Sequence, residues 1–168
     1  MARIEFYVGN NRDMSKKTFG NLLVFGQFSL LGVLLLLQGA RDWSLPAGLD
    51  AVAKFLLAAG LAIAIIAIFN LGKSLTANPV PLDSATLKTG GLYAVVRHPI
   101  YLGFILAGMG LTATSGSWLA VAALAGIIVL LSFKARFEES MLLRKFDGYR
   151  AYATRVGRLL PGIGKLKL

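Results

Sequence analysis

The chain contains no cysteine and a single histidine, His98. The absence of cysteine excludes disulfides and thiolate nucleophiles, and one histidine cannot build a histidine-rich zinc site. Acidic residues are also scarce, because 8 Asp and Glu stand against 18 Lys and Arg. That number is too small for a carboxylate cage around a metal ion. We therefore expect neither a thiol enzyme nor a metal site.

Charged residues make up 15% of the 168 residues, whereas hydrophobic residues make up 56%. A soluble domain of this length carries more charge. Four apolar runs approach the ~20 residues that cross a bilayer as a helix, although the third is about a turn short. The sequence predicts an all-α fold, a polytopic membrane helical bundle of about four transmembrane helices, in a single domain over residues 1–168. The runs are 19–37, 51–71, 99–114 and 118–137.

The distribution of cations predicts the orientation of these helices. Lys and Arg concentrate in residues 1–18, in the 72–98 loop and after residue 133, whereas the other turns have Arg41 at most. Because cytoplasmic loops carry the excess of Lys and Arg, both termini should be cytoplasmic. We predict residues 1–18 to be a partly disordered cytoplasmic lead-in. The net charge of +10 favours anionic lipid headgroups over nucleic acid as a partner.

Small residues recur four positions apart in three runs, which predicts close helix packing in lipid. These pairs are Gly60 and Ala64, Gly103 and Ala107, and Ala122 and Gly126.

The fourth run is followed by an amphipathic pattern. Leu142, Phe146 and Tyr149 share one face if the helix continues through residues 138–152. The sequence therefore predicts a C-terminal amphipathic helix on the cytoplasmic side.

The start of the third run joins a polar loop to apolar sequence and contains Arg97 and His98. Pro99 can begin a helix because it needs no N–H partner, which places His98 at the N-cap. The uncharged 115–117 turn predicts that the third and fourth runs form an antiparallel hairpin. Arg97 and His98 should therefore lie beside the end of the fourth run.

That end contributes Glu138 and Glu139, so the converging groups carry both signs of charge. S-adenosylmethionine is a cytosolic metabolite with an ammonium, a carboxylate and a sulfonium, and a sulfonium favours carboxylates and aromatic faces. The alternative is that both glutamates pair with Lys134 and Arg136 on a solvated helix end, as surface charges commonly do.

Two longer motifs contain these converging groups. The first motif is Leu87-x-Thr89-Gly90-Gly91-x-Tyr93-x-x-x-Arg97-His98-Pro99-x-Tyr101-x-Gly103. The second is Glu138-Glu139-x-x-Leu142-x-x-x-Phe146-x-x-Tyr149-x-x-Tyr152, followed by Arg158 and Pro161. Both motifs resemble the isoprenylcysteine carboxyl methyltransferase family, and related phospholipid N-methyltransferases share a similar signature. The resemblance covers about residues 70–162, which we take as the catalytic core region.

The resemblance implies a membrane methyltransferase that uses S-adenosylmethionine without a Rossmann domain. It implies a substrate-side cation at Lys134, with Arg136 as the other candidate. Ala85 departs from the pattern, because eukaryotic members carry a histidine there. The implied cofactor-binding residues are Thr86, Leu87, Lys88, Tyr93, His98, Pro99, Ile100, Tyr101 and Glu138.

A cation beside the acceptor favours an anionic nucleophile. We therefore predict O-methylation of the carboxylate of a lipophilic acceptor, such as an isoprenylcysteine-like substrate, with Lys134, Arg136 and Glu139 as catalytic residues. N-methylation of phosphatidylethanolamine is the alternative, and it would need His98, Glu138 or Glu139 to remove a proton. A non-catalytic membrane protein that binds lipid or a partner is the third hypothesis. The expected partners are a lipophilic or lipidated substrate and membrane lipids, at an active site on the cytoplasmic side.

Overall fold

A computed structural model describes residues 2–46 and 48–167, with side chains from Met14 onwards in the first helix. The described residues form five α-helices and no strand, which confirms the all-α prediction. Two short 3₁₀ turns, Gly72–Ser74 and Gly91–Ala94, lie in the loop between the second and third helices. The helices are α1 Ala2–Leu36, α2 Leu49–Leu71, α3 Pro99–Ser115, α4 Trp118–Lys145 and α5 Tyr149–Arg155.

The four predicted apolar runs fall on α1 to α4. Three helical segments are long and apolar enough to cross a membrane: Met14–Leu36, Leu49–Ser74 and Trp118–Lys145. Helix α3 is shorter, at 17 residues. Large apolar side chains such as Phe25, Phe69 and Val129 are exposed on the helix surfaces. Helices of this length that are apolar on their exposed surfaces are typical of membrane spans, so the chain is a helical membrane protein.

The helices differ from the sequence prediction at two ends. Helix α1 begins at Ala2, so residues 2–18 extend the first helix instead of forming a partly disordered lead-in. Helix α4 ends at Lys145, because Phe146 adopts an extended conformation with φ −124° and ψ 113°. The Asp-Gly pair that follows is typical turn chemistry. The predicted amphipathic helix over 138–152 is therefore split between α4 and α5.

Helices α2 and α3 pack most closely, and glycine makes this possible. A Cβ atom added at Gly60 would lie 2.3 Å from the backbone nitrogen of Ala107, and one at Gly103 would lie 2.6 Å from the carbonyl oxygen of Gly60. Side chains at these positions would force the helices apart. The predicted packing role of these two small-residue pairs is confirmed.

The third small-residue pair does not form such a contact. Ala122 is exposed, and a Cβ atom at Gly126 would meet Leu30 at an ordinary distance of 3.4 Å. Helix α4 instead packs on α1 through an apolar core. The buried residues of this core are Leu34, Ala120, Ala123, Ile127 and Leu131.

The turn between α3 and α4 confirms the predicted hairpin. Gly116 adopts a left-handed conformation with φ +62°, and its carbonyl accepts a 3.0 Å hydrogen bond from the Trp43 backbone N–H. The Asp42 carboxylate accepts hydrogen bonds from the Ser117 hydroxyl at 3.0 Å and the Trp118 backbone N–H at 2.9 Å. This carboxylate thereby caps the start of α4. The hairpin places the start of α3 beside the far end of α4.

The predicted orientation is testable because the chain has no native cysteine. Single cysteines at the exposed positions Ser44 and Arg150 should react with an impermeant thiol reagent from opposite sides of the membrane. A third cysteine at exposed Lys73 serves as the matched control and should react from the same side as Arg150. Labelling of Ser44 and Lys73 from one side would contradict the four-span orientation.

Candidate active site

A buried guanidinium ties the start of α3 to the end of α4 and to the C-terminal segment. The Arg97 side chain is fully buried, with Nη2 2.7 Å and Nε 2.8 Å from Oε1 of Glu139. It also donates hydrogen bonds to the carbonyls of Ala153 at 3.0 Å and Gly164 at 2.9 Å. The other Glu139 oxygen accepts a 2.9 Å hydrogen bond from Nε of Arg158. These bonds occupy both oxygens of the Glu139 carboxylate.

Backbone hydrogen bonds fix His98 at the N-terminus of α3, as the sequence predicts. The Arg97 N–H donates to the Gly157 carbonyl at 2.8 Å, and the His98 N–H donates to the Arg158 carbonyl at 3.1 Å. The His98 side chain makes no capping hydrogen bond. Its Nε2 lies 3.2 Å from the Glu139 carboxylate instead. The C-terminal segment therefore holds the histidine in position.

The two adjacent glutamates have different environments. Tyr101 donates a 2.8 Å hydrogen bond to Oε2 of Glu138, and Nδ1 of His98 lies 3.7 Å from the same oxygen. The His98 and Tyr101 rings are stacked, with centroids 5.2 Å apart and planes 5° from parallel. The Glu138 side chain stays 28% exposed, against 4% for Glu139. Glu138 is therefore the carboxylate that a ligand can reach.

These groups surround a cavity of about 310 Å³. Helices α1 to α4, the loop before α3 and the residues after α4 all contribute to its lining. Most of the predicted cofactor-binding residues line it: Thr86, Leu87, Lys88, Tyr93, His98, Ile100, Tyr101 and Glu138. Pro99 is buried and lies outside the lining, and so does Glu139. The structure thus brings together most of the residues that the sequence selects, with Glu139 held behind the cavity wall.

The two predicted substrate-side cations lie in different environments. Lys134 is buried and lines the cavity, whereas Arg136 is exposed and lies outside the lining. Nζ of Lys134 donates a 2.7 Å hydrogen bond to Oε1 of Gln27 on α1. It also lies 5.2 Å from the centre of the Tyr101 ring. The sequence analysis missed Gln27, although an amide side chain near the middle of a long apolar run was an available signal.

The long loop after α2 closes one side of the cavity and is fastened at two points. The Thr86 N–H donates a 3.1 Å hydrogen bond to the Ser74 hydroxyl. The Asn78 amide donates to the Lys17 carbonyl at 3.0 Å and to the Asn21 side chain at 2.7 Å. The first bond closes the loop on itself, and the Asn78 bonds hold it against α1.

Three buried phenols surround the cavity outside the membrane-spanning helices. Burial raises the pKa of Tyr93 and Tyr149 and raises that of Tyr152 to about 12. The three hydroxyls therefore stay protonated at neutral pH and can act as donors. The Tyr152 hydroxyl donates to the Tyr93 carbonyl at 2.5 Å. The Tyr149 hydroxyl is buried and has no hydrogen-bond partner among the described residues.

The chemistry of this cavity fits S-adenosylmethionine. Glu138 supplies a negative charge for an ammonium or a sulfonium, and Lys88 supplies a positive charge for a carboxylate. The stacked pair of His98 and Tyr101 offers aromatic faces. The unpaired Tyr149 hydroxyl is a donor that a ligand would satisfy. The fold and site define a helical membrane protein with a cavity suited to this methyl donor.

Comparison with known proteins agrees with this class. Residues 50–148 match the sequence model of the phospholipid methyltransferase family, and the chain belongs to that family. The family-level prediction from the two motifs is thereby confirmed, and the match starts earlier in the chain than the motifs do.

Two methanethiol S-methyltransferases are similar to the chain. The protein from Pseudomonas deceptionensis is 32% identical over 118 residues, which are 69% of this chain and 42% of that protein. The protein from Bradyrhizobium diazoefficiens, methanethiol S-methyltransferase 1, is 41% identical over 75 residues, which are 44% of this chain and 26% of that protein. The chain thus matches less than half the length of each relative.

Proposed function

We propose that the chain is an S-adenosylmethionine-dependent membrane methyltransferase whose acceptor presents an anionic nucleophile. One observation supports this function above all. A single cavity contains a ligand-accessible carboxylate, Glu138, and a separate buried ammonium, Lys134. The first suits the cationic methyl donor, and the second suits an anionic acceptor.

The bound cofactor supplies an electrophilic methyl group on a positively charged sulfur. Glu138 and the stacked rings of His98 and Tyr101 hold and orient that charge. Lys134 attracts the acceptor and keeps it ionised. Apolar side chains such as Phe104 and Ile68 line the same cavity and exclude water from the reacting atoms. An ionised acceptor needs no general base, so alignment within the cavity supplies much of the acceleration.

We propose a small or lipophilic thiol as the first acceptor class and a lipophilic carboxylate as the second. The names of the two relatives favour sulfur as the methyl acceptor. A carboxylate, as in the predicted isoprenylcysteine-like substrate, shares the negative charge that Lys134 would bind. Phosphatidylethanolamine is disfavoured, because Lys134 would repel its ammonium.

The test is methyl transfer by the detergent-purified protein from radiolabelled S-adenosylmethionine to three acceptors. We expect product from methanethiol, a slower or comparable rate with farnesylated cysteine, and none with phosphatidylethanolamine. Turnover of the amine lipid alone, rising with pH as its ammonium loses a proton, would overturn the proposal.

The cofactor assignment gives a separate prediction for Tyr149. Changing Tyr149→Phe removes a buried hydroxyl that has no hydrogen-bond partner in the described part of the chain, so the melting temperature of the free protein should stay the same or rise. Affinity for S-adenosylhomocysteine, measured by calorimetry, should fall about 5- to 10-fold, which corresponds to roughly 1 kcal/mol for one hydrogen bond.

Tyr152→Phe is the matched control. It removes a hydroxyl that already donates to the Tyr93 carbonyl, so it should lower the melting temperature. Unchanged ligand affinity in Tyr149→Phe would show that its hydroxyl makes no contact with the cofactor.

A further inference from the structure

Gln27 and Lys134 form a buried hydrogen bond between α1 and α4. Gln27 is 3% exposed and Lys134 is 2% exposed, yet both line the cavity. Gln27 belongs to α1, within the apolar segment Met14–Leu36, and lies outside the family match at residues 50–148. A buried amide in a membrane helix is costly and marks a functional position more often than a structural one.

The charge of this ammonium is left uncompensated by its direct contacts. None of the ion pairs between described residues involves Lys134. Its hydrogen bond goes to the neutral Gln27 carbonyl, and its other close contact is the Tyr101 ring. An ammonium has three N–H donors, and Gln27 accepts only one of them. The remaining donors are available to a ligand in the cavity, where Glu138 is the carboxylate that acts on this charge without a direct ion pair.

We propose that Gln27 is a positioning residue that fixes the Lys134 ammonium for the anionic head of the acceptor and thereby selects thiolates and carboxylates. This inference rests on the proposed function. Gln27 accepts one N–H without cancelling the charge, which a glutamate in its place would do. It also anchors the flexible lysine side chain to α1, so that the ammonium keeps one location in the cavity.

With a thiol acceptor, the role of the pair in the transfer is electrostatic. The acceptor thiol first releases its proton to solvent water, and its thiolate sulfur then forms the new carbon–sulfur bond while the bond from the methyl group to the sulfonium breaks. The electrons of the broken bond go to the departing sulfur, which becomes a neutral thioether. Lys134 keeps its proton throughout and stabilises the thiolate before attack. The lysine thereby lowers the pKa of the bound thiol.

Gln27→Glu is the decisive variant because it nearly preserves shape and changes charge. We expect the KM for methanethiol to rise at least 10-fold. We also expect the ascending limb of the kcat profile, where the rate rises as the bound thiol ionises, to move about one pH unit higher, because the glutamate neutralises the cation that stabilises the thiolate. Affinity for S-adenosylhomocysteine, measured by calorimetry, should stay within 2-fold of the parent value.

Gln27→Met keeps the size of the side chain and removes the acceptor oxygen. It should lower kcat about 10-fold and leave cofactor affinity unchanged. Gln38→Met is the control, because the Gln38 side chain, just after α1, also forms a hydrogen bond to another helix. It donates to the Leu111 carbonyl of α3 at 3.0 Å but lies outside the cavity lining. It should lower the melting temperature and leave KM and the pH profile as they were.

If Gln27 had a purely structural role, its variants would behave like Gln38→Met. If both Gln27 variants lower the melting temperature without changing KM, kcat or the pH profile, the inference is wrong while the proposed function stands. If the parent protein binds no S-adenosylhomocysteine and methylates none of the acceptors, the proposed function fails, and the inference fails with it.

Discussion

Replacing Glu139 with glutamine should destabilise the folded protein by about 3–5 kcal/mol, the usual cost of removing one partner from a buried ion pair. The variant leaves Arg97 fully buried without its counter-charge and removes the carboxylate that also binds Arg158. These contacts fasten the C-terminal segment to the start of α3. The measurement is the unfolding of both proteins in the same detergent, followed by circular dichroism against temperature and denaturant.

Glu138→Gln is the matched control, because it makes the same chemical change one residue earlier. Glu138 is partly exposed, and among the described residues its side chain accepts one hydrogen bond, from Tyr101. The control should unfold within about 1 kcal/mol of the parent, as expected for a partly exposed polar group. Equal loss of stability in the two variants would show that Glu139 does not act as the anchor described here.

The different roles of the two glutamates explain the main limit of the sequence analysis. Adjacent residues on a helix point about 100° apart, so only one carboxylate can face the cavity. The pattern along α4 does not reveal which one, because the rotation of the helix is fixed by groups distant in sequence. Arg97 and Arg158 bind Glu139 and turn Glu138 towards the cavity. The prediction that Glu139 acts in catalysis remains untested, but its carboxylate is fully occupied.

Other features could be predicted because they depend on local pattern. The lengths of the apolar runs predicted the positions of α1 to α4. Pro99 predicted the start of α3, and the spacing of small residues predicted close packing at positions on α2 and α3 without saying which helices meet. The contribution of α1 to the site could not be predicted in this way. Gln27 reaches Lys134 across a separation of 107 residues, and neither residue belongs to a motif that pairs them.

The affinity of Glu138→Gln for the cofactor is the prediction that most directly tests the site. The carboxylate is the ligand-accessible negative charge beside His98 and Tyr101. Its loss should weaken binding of S-adenosylhomocysteine by about 1–3 kcal/mol, the range for a charged hydrogen-bond partner. That range corresponds to a decrease in affinity of about 5- to 150-fold. Calorimetry on the detergent-purified protein measures it directly.

A second ligand tells which part of the cofactor Glu138 binds. S-adenosylmethionine and S-adenosylhomocysteine share the same ammonium and carboxylate, but only the former has a positively charged sulfur. If Glu138 pairs with the ammonium, as we expect, the variant should lose affinity for both ligands by the same factor. A loss confined to S-adenosylmethionine would instead assign Glu138 to the sulfonium, beside the transferred methyl group. Unchanged affinity for both, in a variant as stable as the parent, would mean that the cofactor binds outside this cavity, since no other accessible carboxylate lines it among the described residues.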